Sequence, residues 1–191
     1  MINYKELKIE DVYKKKKSFN EISLVGDLIF WKEDLKISEL KNNAIFVRPI
    51  LNNKLKPQNL TGDIFRIQSS FHGYGGKSYQ CIKNQNQIYL VWIDKLTGSL
   101  WAQNYQLNRL ENNFVKFPYL IANQEPWQLT NTSNTNFDSS FALVNEKILF
   151  GISEINNNDY LFSVLINKKK QDLKIIKKFD NFAGSLSSNL G

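Results

Sequence analysis

A chain of 191 residues with 42% apolar and 13% aromatic residues can bury a real core, and this excludes wholesale disorder. A single Cys (Cys81) and a single His (His72) exclude an internal disulfide and a Cys/His zinc site within one chain, and no cofactor or metal is expected. The net charge of +7, from 25 basic and 18 acidic residues, invites a nucleic-acid reading, but Arg48, Arg66 and Arg109 are the only residues with the bidentate fork that reads bases. The remaining basic residues are Lys, and Asn is abundant beside them, as an AT-rich coding sequence would produce on a solvated surface. No nucleic-acid partner is expected. The segment Met1-Ile2-Asn3-Tyr4-Lys5 has no signal-peptide core and no run approaches a membrane span, so the expectations are a cytoplasmic location and no membrane partner.

The stretch from Tyr4 to Ser18 reads as a short helix or an irregular lead-in. From Glu21 the pattern changes to short apolar runs between polar turns. Leu28-Ile29-Phe30-Trp31 follows Gly26-Asp27, and Ala44-Ile45-Phe46-Val47 follows Asn42-Asn43. A short strand, Tyr79-Gln80-Cys81-Ile82, precedes Asn84-Gln85-Asn86, and the run from Ile88 to Ile93 comes next. Ile148 to Ile152, Tyr160 to Ile166 and Asp172 to Ile176 follow Asn145-Glu146-Lys147, Asn156-Asn157-Asn158-Asp159 and the Lys168 to Lys170 run. These runs are too short for buried helices and are rich in β-branched and aromatic residues, so the chain reads as all-β with consecutive antiparallel strands.

Two segments repeat. Pro57-Gln58-Asn59-Leu60-Thr61 and Pro126-Trp127-Gln128-Leu129-Thr130 share P-x-x-L-T, and each follows an apolar strand pair. A third unit starts at Phe141 and ends near Phe179-Asp180. Units of roughly 60 residues, each with about four strands, suit the blades of a propeller. The reading is a partial β-propeller of about three antiparallel blades. Residues 1–20 form the lead-in and residues 21–191 the incomplete propeller, with blades at roughly 21–61, 77–130 and 136–191. Three blades do not close a ring, and the end of the chain, Phe182 to Gly191, reads as a strand entering a turn. Open sheet edges make an oligomer the natural expectation.

Phe71-His72-Gly73-Tyr74-Gly75-Gly76-Lys77-Ser78-Tyr79 carries three of the nine glycines, where backbone must turn at φ > 0 or pass close to other backbone. His72 has no nucleophile elbow near it, so it reads as a hydrogen-bonded histidine holding the Gly75-Gly76 bend, with Tyr74 and Tyr79 beside it. Cys81 reads as a small buried hydrophobe. Trp31, Trp92 and Trp101 fall on strands and read as core, whereas Trp127 lies at a turn and is expected to be exposed. Asp27, Asp94 and Glu154 sit at strand ends. Their spacing in sequence leaves a glycosidase-type carboxylate pair open, as it leaves open an ammonium contact at Glu154.

With these segments in place, the chain resembles the N-terminal propeller of bacterial or cyanobacterial serine peptidases of the prolyl oligopeptidase family, in particular the acylaminoacyl-peptidase or dipeptidyl-aminopeptidase-like branch. His72-Gly73-Tyr74-Gly75-Gly76-Lys77-Ser78-Tyr79 resembles its H-E-Y-G-G-G-S/A-Y segment, with Gly73 where the family has Glu. Ile88 to Asp94 followed by Gly98-Ser99-Leu100-Trp101, the P-x-x-L-T ending at Pro126, and Phe150 to Glu154 with Asp159-Tyr160-Leu161 resemble further family strands in the same order. Asp180-Asn181-Phe182-Ala183-Gly184 followed by Leu186-Ser187-Ser188-Asn189 resembles D-F-A-G followed by L-S-P-D-G, with Ser188 and Leu190 departing from Pro and Gly.

The resemblance implies a propeller that covers a peptidase active site, filters peptides or acyl-peptides by size and docks on a C-terminal α/β-hydrolase domain. That domain carries a Ser-Asp-His triad in this family, its Ser in G-x-S-x-G. No G-x-S-x-G occurs in these residues, so no catalytic residue is assigned. His72, Tyr74, Gly75 and Gly76 are the family-motif residues, and Glu154 and Trp127 are the candidate substrate contacts. The rival expectation is a free-standing all-β module that binds carbohydrate or protein.

Overall fold

The computed structural model describes residues 20–35, 42–50, 55–73, 76–109, 115–133 and 135–179. The lead-in before residue 20, Tyr74, Gly75 and the motif from Asp180 onward lie outside the described residues. The described chain forms three antiparallel sheets. The first holds β1 (Asn20–Val25), β2 (Leu28–Asp34), β3 (Asn43–Pro49) and β4 (Gln58–Asn59). The second holds β5 (Tyr79–Asn84), β6 (Gln87–Asp94), β7 (Ser99–Arg109) and β8 (Val115–Ala122), with β9 (Trp127–Gln128) also paired to β7. The third holds β10 (Thr135–Val144), β11 (Ile148–Ile155), β12 (Asn158–Leu165) and β13 (Lys174–Phe179). Apart from β9, which returns to pair with β7, the neighbours in space are the neighbours in sequence.

Turn chemistry fixes these hairpins. Asn156 and Asn157, at φ 51° and 61°, form the two-residue connection between β11 and β12, and two consecutive left-handed residues match the twist of the flanking strands. The polar Asn run read from the sequence is therefore the turn itself.

The sheets stack face to face. Leu28, Phe30, Ile45 and Val47 of the first sheet meet Ile88, Leu90 and Trp92 of β6 in one core. Val91 and Ile93, which point to the other side of β6, meet Phe137, Leu149, Phe162 and Val164 of the third sheet in a second core. The second sheet is thus buried on both faces, and this is why β6 reads as an unbroken apolar run rather than an alternating one. Phe65 packs edge-on against Trp92 and Trp101, with ring centres 5.0 Å from each. In the third sheet Gly151 gives up its side chain to this packing. A Cβ there would sit 2.7 Å from Phe162 Cζ and 2.8 Å from Phe141 Cδ1.

β5 lies between β1 and β10, so the first strands of the three sheets gather on one side. The outer strands meet through Gln58, whose side chain donates to Leu120 O at 2.7 Å and accepts from Leu120 N at 3.0 Å. Three antiparallel sheets stacked as wedges in this way are about three blades of a β-propeller.

The P-x-x-L-T repeat is the device that closes a blade. In the first sheet Leu60 N donates to Ile45 O at 2.8 Å, and Ile45 N donates to Thr61 Oγ1 at 3.0 Å. In the second, Leu129 N donates to Leu100 O at 2.7 Å, and Leu100 N donates to Thr130 Oγ1 at 3.0 Å. The register agrees as well: Asn59 faces Phe46 and Gln128 faces Trp101. The Leu seals the core, and the Thr hydroxyl satisfies a buried amide that has run out of strand to pair with.

Trp127 corrects the sequence reading. It is 3% exposed and belongs to the second core. The Pro126 turn makes it look like a loop residue, but the pairing of β9 with β7 carries it inward.

Candidate functional site

Two places gather polar groups from distant parts of the chain. The first is built on the connector between the first and second sheets. That connector runs along β6, where Gln68 N donates to Ile93 O and Lys95 N to Arg66 O. It then crosses to the third sheet, where Ser69 Oγ donates to Phe137 O at 2.7 Å. A single 3-10 turn, Phe71–Gly73, follows and places His72 at φ 48°. That left-handed conformation is uncommon for a residue with a side chain and persists where surrounding bonds enforce it. Here the His72 N–H donates to Glu154 Oε2 at 2.8 Å, and Nε2 lies 3.1 Å from Asp159 Oδ2. Glu154 and Asp159 face each other across β11 and β12. Asn136 Nδ2 donates to the same Glu154 oxygen at 3.4 Å.

His72 therefore straps the connector to the third blade. Its ring donates to a buried carboxylate, which is the base-and-orienter half of a hydrolytic triad. The nucleophile is missing: among the described residues no hydroxyl or thiol bonds the second ring nitrogen. Ser69, three residues away, already donates to Phe137 O and accepts from Phe71 N at 3.2 Å. Asp159 Oδ1 is buried with no hydrogen-bond partner.

The glycines of this segment divide in role. Gly73 adopts φ +71°, as a turn there requires. Gly76 needs no close approach, since its nearest neighbours lie 3.8 Å and 3.9 Å from where a Cβ would be. Tyr79 packs in the first core and its hydroxyl donates to Glu21 O. Burial, helped by the charge of Glu21, pushes this phenol well above the ordinary tyrosine range.

The second place lies where β1, β5 and β10 meet. A cleft of about 440 Å³ opens there, walled by Glu21 and Leu24 from β1, Lys77 and Gln80 around β5, and Ser139 and Phe141 from β10. Glu21 is engaged from several sides. It pairs with Lys32, and its Oε2 accepts from Ser78 N at 2.6 Å and from Ser78 Oγ at 2.8 Å. Lys32, which is 8% exposed, also donates to Ser78 Oγ at 2.9 Å and to Ile67 O at 3.3 Å. This network ties the first blade to the second, and no sequence pattern announced it.

The remaining candidates take structural places. Asp94, 3% exposed, accepts from Arg66 N at 3.1 Å, Thr97 N at 3.2 Å and Thr97 Oγ1 at 2.9 Å, so its carboxylate holds the β6–β7 turn. Cys81 is buried in β5, and burial pushes its thiol well above the usual cysteine range, away from nucleophilic use. Trp92 is fully buried, and Trp31, also buried, stacks on Phe46 with ring centres 6.0 Å apart, as the core reading of both expects.

The class defined by these observations is a three-bladed propeller segment with a histidine strap between connector and third blade. No protein-family model and no curated protein matches the sequence. Among solved structures, a puromycin-hydrolysing peptidase of Mycobacterium tuberculosis is similar, with a TM-score of 0.62 and 12% identity. The match covers 87% of this chain and 25% of that one, so the chain spans about a quarter of the length of the peptidase it resembles. At that identity the likeness shows the fold.

Proposed function

We propose that this chain is the propeller part of a serine peptidase of the prolyl oligopeptidase family, one that admits peptides or acyl-peptides to an active site held by an α/β-hydrolase domain. It is catalytically silent alone, and the proposed setting is cytoplasmic. The observation that carries the reading is the coincidence of motif and role. The P-x-x-L-T segment at Pro126, which resembles the family's blade ending, is one of the two clasps that close blades, and the histidine of the family-like segment is the strap. The likeness to a quarter of a larger peptidase supports it. Within this reading Glu154 is the substrate contact, because both of its hydrogen bonds among the described residues fall on Oε2, and a carboxylate oxygen left over suits a peptide's ammonium group. Trp127, inside the second core, is assigned to packing instead.

The test is turnover of aminoacyl and acylaminoacyl chromogenic peptides by the purified chain, with a fluorophosphonate probe in parallel. The reading expects neither hydrolysis nor labelling. Hydrolysis blocked by the probe would show a nucleophile within these residues and end it. A glycan array run on the same sample gives no binding under this reading, and a specific sugar would favour a free-standing module.

A further inference from the structure

We propose that the cleft between β1, β5 and β10 is a binding site for a small carboxylate with an apolar body, about the size of a capped dipeptide. This site is separate from the His72 strap and stands whether or not the peptidase reading does.

Four observations converge on it. First, both inner strands that wall the cleft leave their regular ladders where they face it: β1 between Asn20 and Ser23, and β10 between Asp138 and Ala142. Such bulges re-aim side chains and gather beside functional sites. Second, among the residues that line the cleft, Asp138 not being one of them, the charge outside an ion pair of the described residues is positive. Glu21, the acid in the wall, is neutralised by Lys32 and held by Ser78. Asp138, on the bulged strand, accepts from Ser140 N at 3.3 Å. Lys77 is exposed and has no ion pair among the described residues.

Third, the wall holds donors in need of an acceptor. Ser139 is 2% exposed and its Oγ has no hydrogen-bond partner, an unusual state for a buried hydroxyl. Gln80 is fixed by accepting Phe141 N at 2.6 Å, and its amide nitrogen takes part in no hydrogen bond among the described residues. Fourth, Tyr79, Phe141 and Leu24 supply apolar wall, and about 440 Å³ falls within the range of ordinary small-molecule sites. One ammonium, one hydroxyl and one amide donor around an apolar floor match a carboxylate on a hydrophobic stem.

Isothermal titration of the full chain with N-acetyl-Ala-Phe, its C-terminal amide, and N-acetyl-Asp-Phe amide tests this. The free acid is expected to bind and the Ala-Phe amide to bind about tenfold more weakly or worse. Binding of the Asp peptide assigns the site to side-chain carboxylates, and its failure assigns the site to chain ends; either supports a carboxylate site. Lys77→Met is expected to erase the preference for acid over amide. Ser139→Ala should weaken the acid several-fold while leaving Tm unchanged or raised, because it deletes an unbonded hydroxyl. Equal binding of acid and amide, no binding at millimolar ligand, or an unaltered preference in Lys77→Met overturns the proposal.

Discussion

Replacing Lys32 by Met is expected to destabilise the fold by about 3–5 kcal/mol, the usual cost of removing one member of a buried ion pair. The side chains of Lys32 and Glu21 are 10% and 18% exposed. With Lys32 gone, the Glu21 carboxylate keeps only the Ser78 donors, and Ser78 Oγ and Ile67 O lose theirs. The loss falls on the joint between two blades, because Lys32 lies on β2, Glu21 on β1 and Ser78 just before β5. Adding Glu21→Gln removes the orphaned charge and should restore a large part of the stability. Chemical denaturation of the two single variants and the double variant measures this coupling. Additive losses would mean that the pair is not a unit and that the blades are joined by other means.

Thr130→Val is expected to cost about 1–3 kcal/mol, since it keeps the shape of the side chain and leaves the Leu100 amide buried without an acceptor. Thr61→Val should act in the same direction through Ile45 N. Valine is the informative replacement because core volume is retained, so a loss reports the hydrogen bond. Thermal melts of both variants check it. If Thr130→Val stays within about 0.5 kcal/mol of the parent, as ordinary surface changes do, the P-x-x-L-T repeat is a coincidence of sequence and not a clasp.

The strands with the densest apolar runs were legible because burial on two faces leaves no room for polar residues, and β6 is the extreme case. The clasp was legible as a repeat, although its hydrogen bonds were not. Other elements escaped for identifiable reasons. The first half of β10, Thr135 to Ser140, is polar apart from Phe137, and the irregularity before Ala142 breaks the alternation that betrays a strand. β8 contains Pro118, which counts against a strand, but β8 ends its sheet and an edge position tolerates the missing donor.

The site was less legible than the fold. His72 stood out by being the only histidine, yet its partners Glu154 and Asp159 lie more than eighty residues on and meet it only through the stacking of blades. Nothing in the local sequence of Glu21, Lys32 or Ser78 links them. Gly151, unremarked in the sequence, is a described glycine whose missing side chain the packing requires, because that requirement is set by Phe141 and Phe162 from neighbouring strands.

The central claim is that these sheets stand side by side as wedges, and the hairpin tips test it most directly. Gln85, in the β5–β6 turn, donates to Glu146 Oε1, in the β10–β11 turn, at 2.7 Å. Both side chains are exposed, and Cys81 is buried and unreactive enough to leave in place. Treatment of the Gln85→Cys, Glu146→Cys variant with a short bismaleimide, read by mass spectrometry, should give a monomer closed by one internal bridge. Two singly modified thiols, or bridges formed only between molecules, would place the tips apart and contradict the arrangement on which the rest depends.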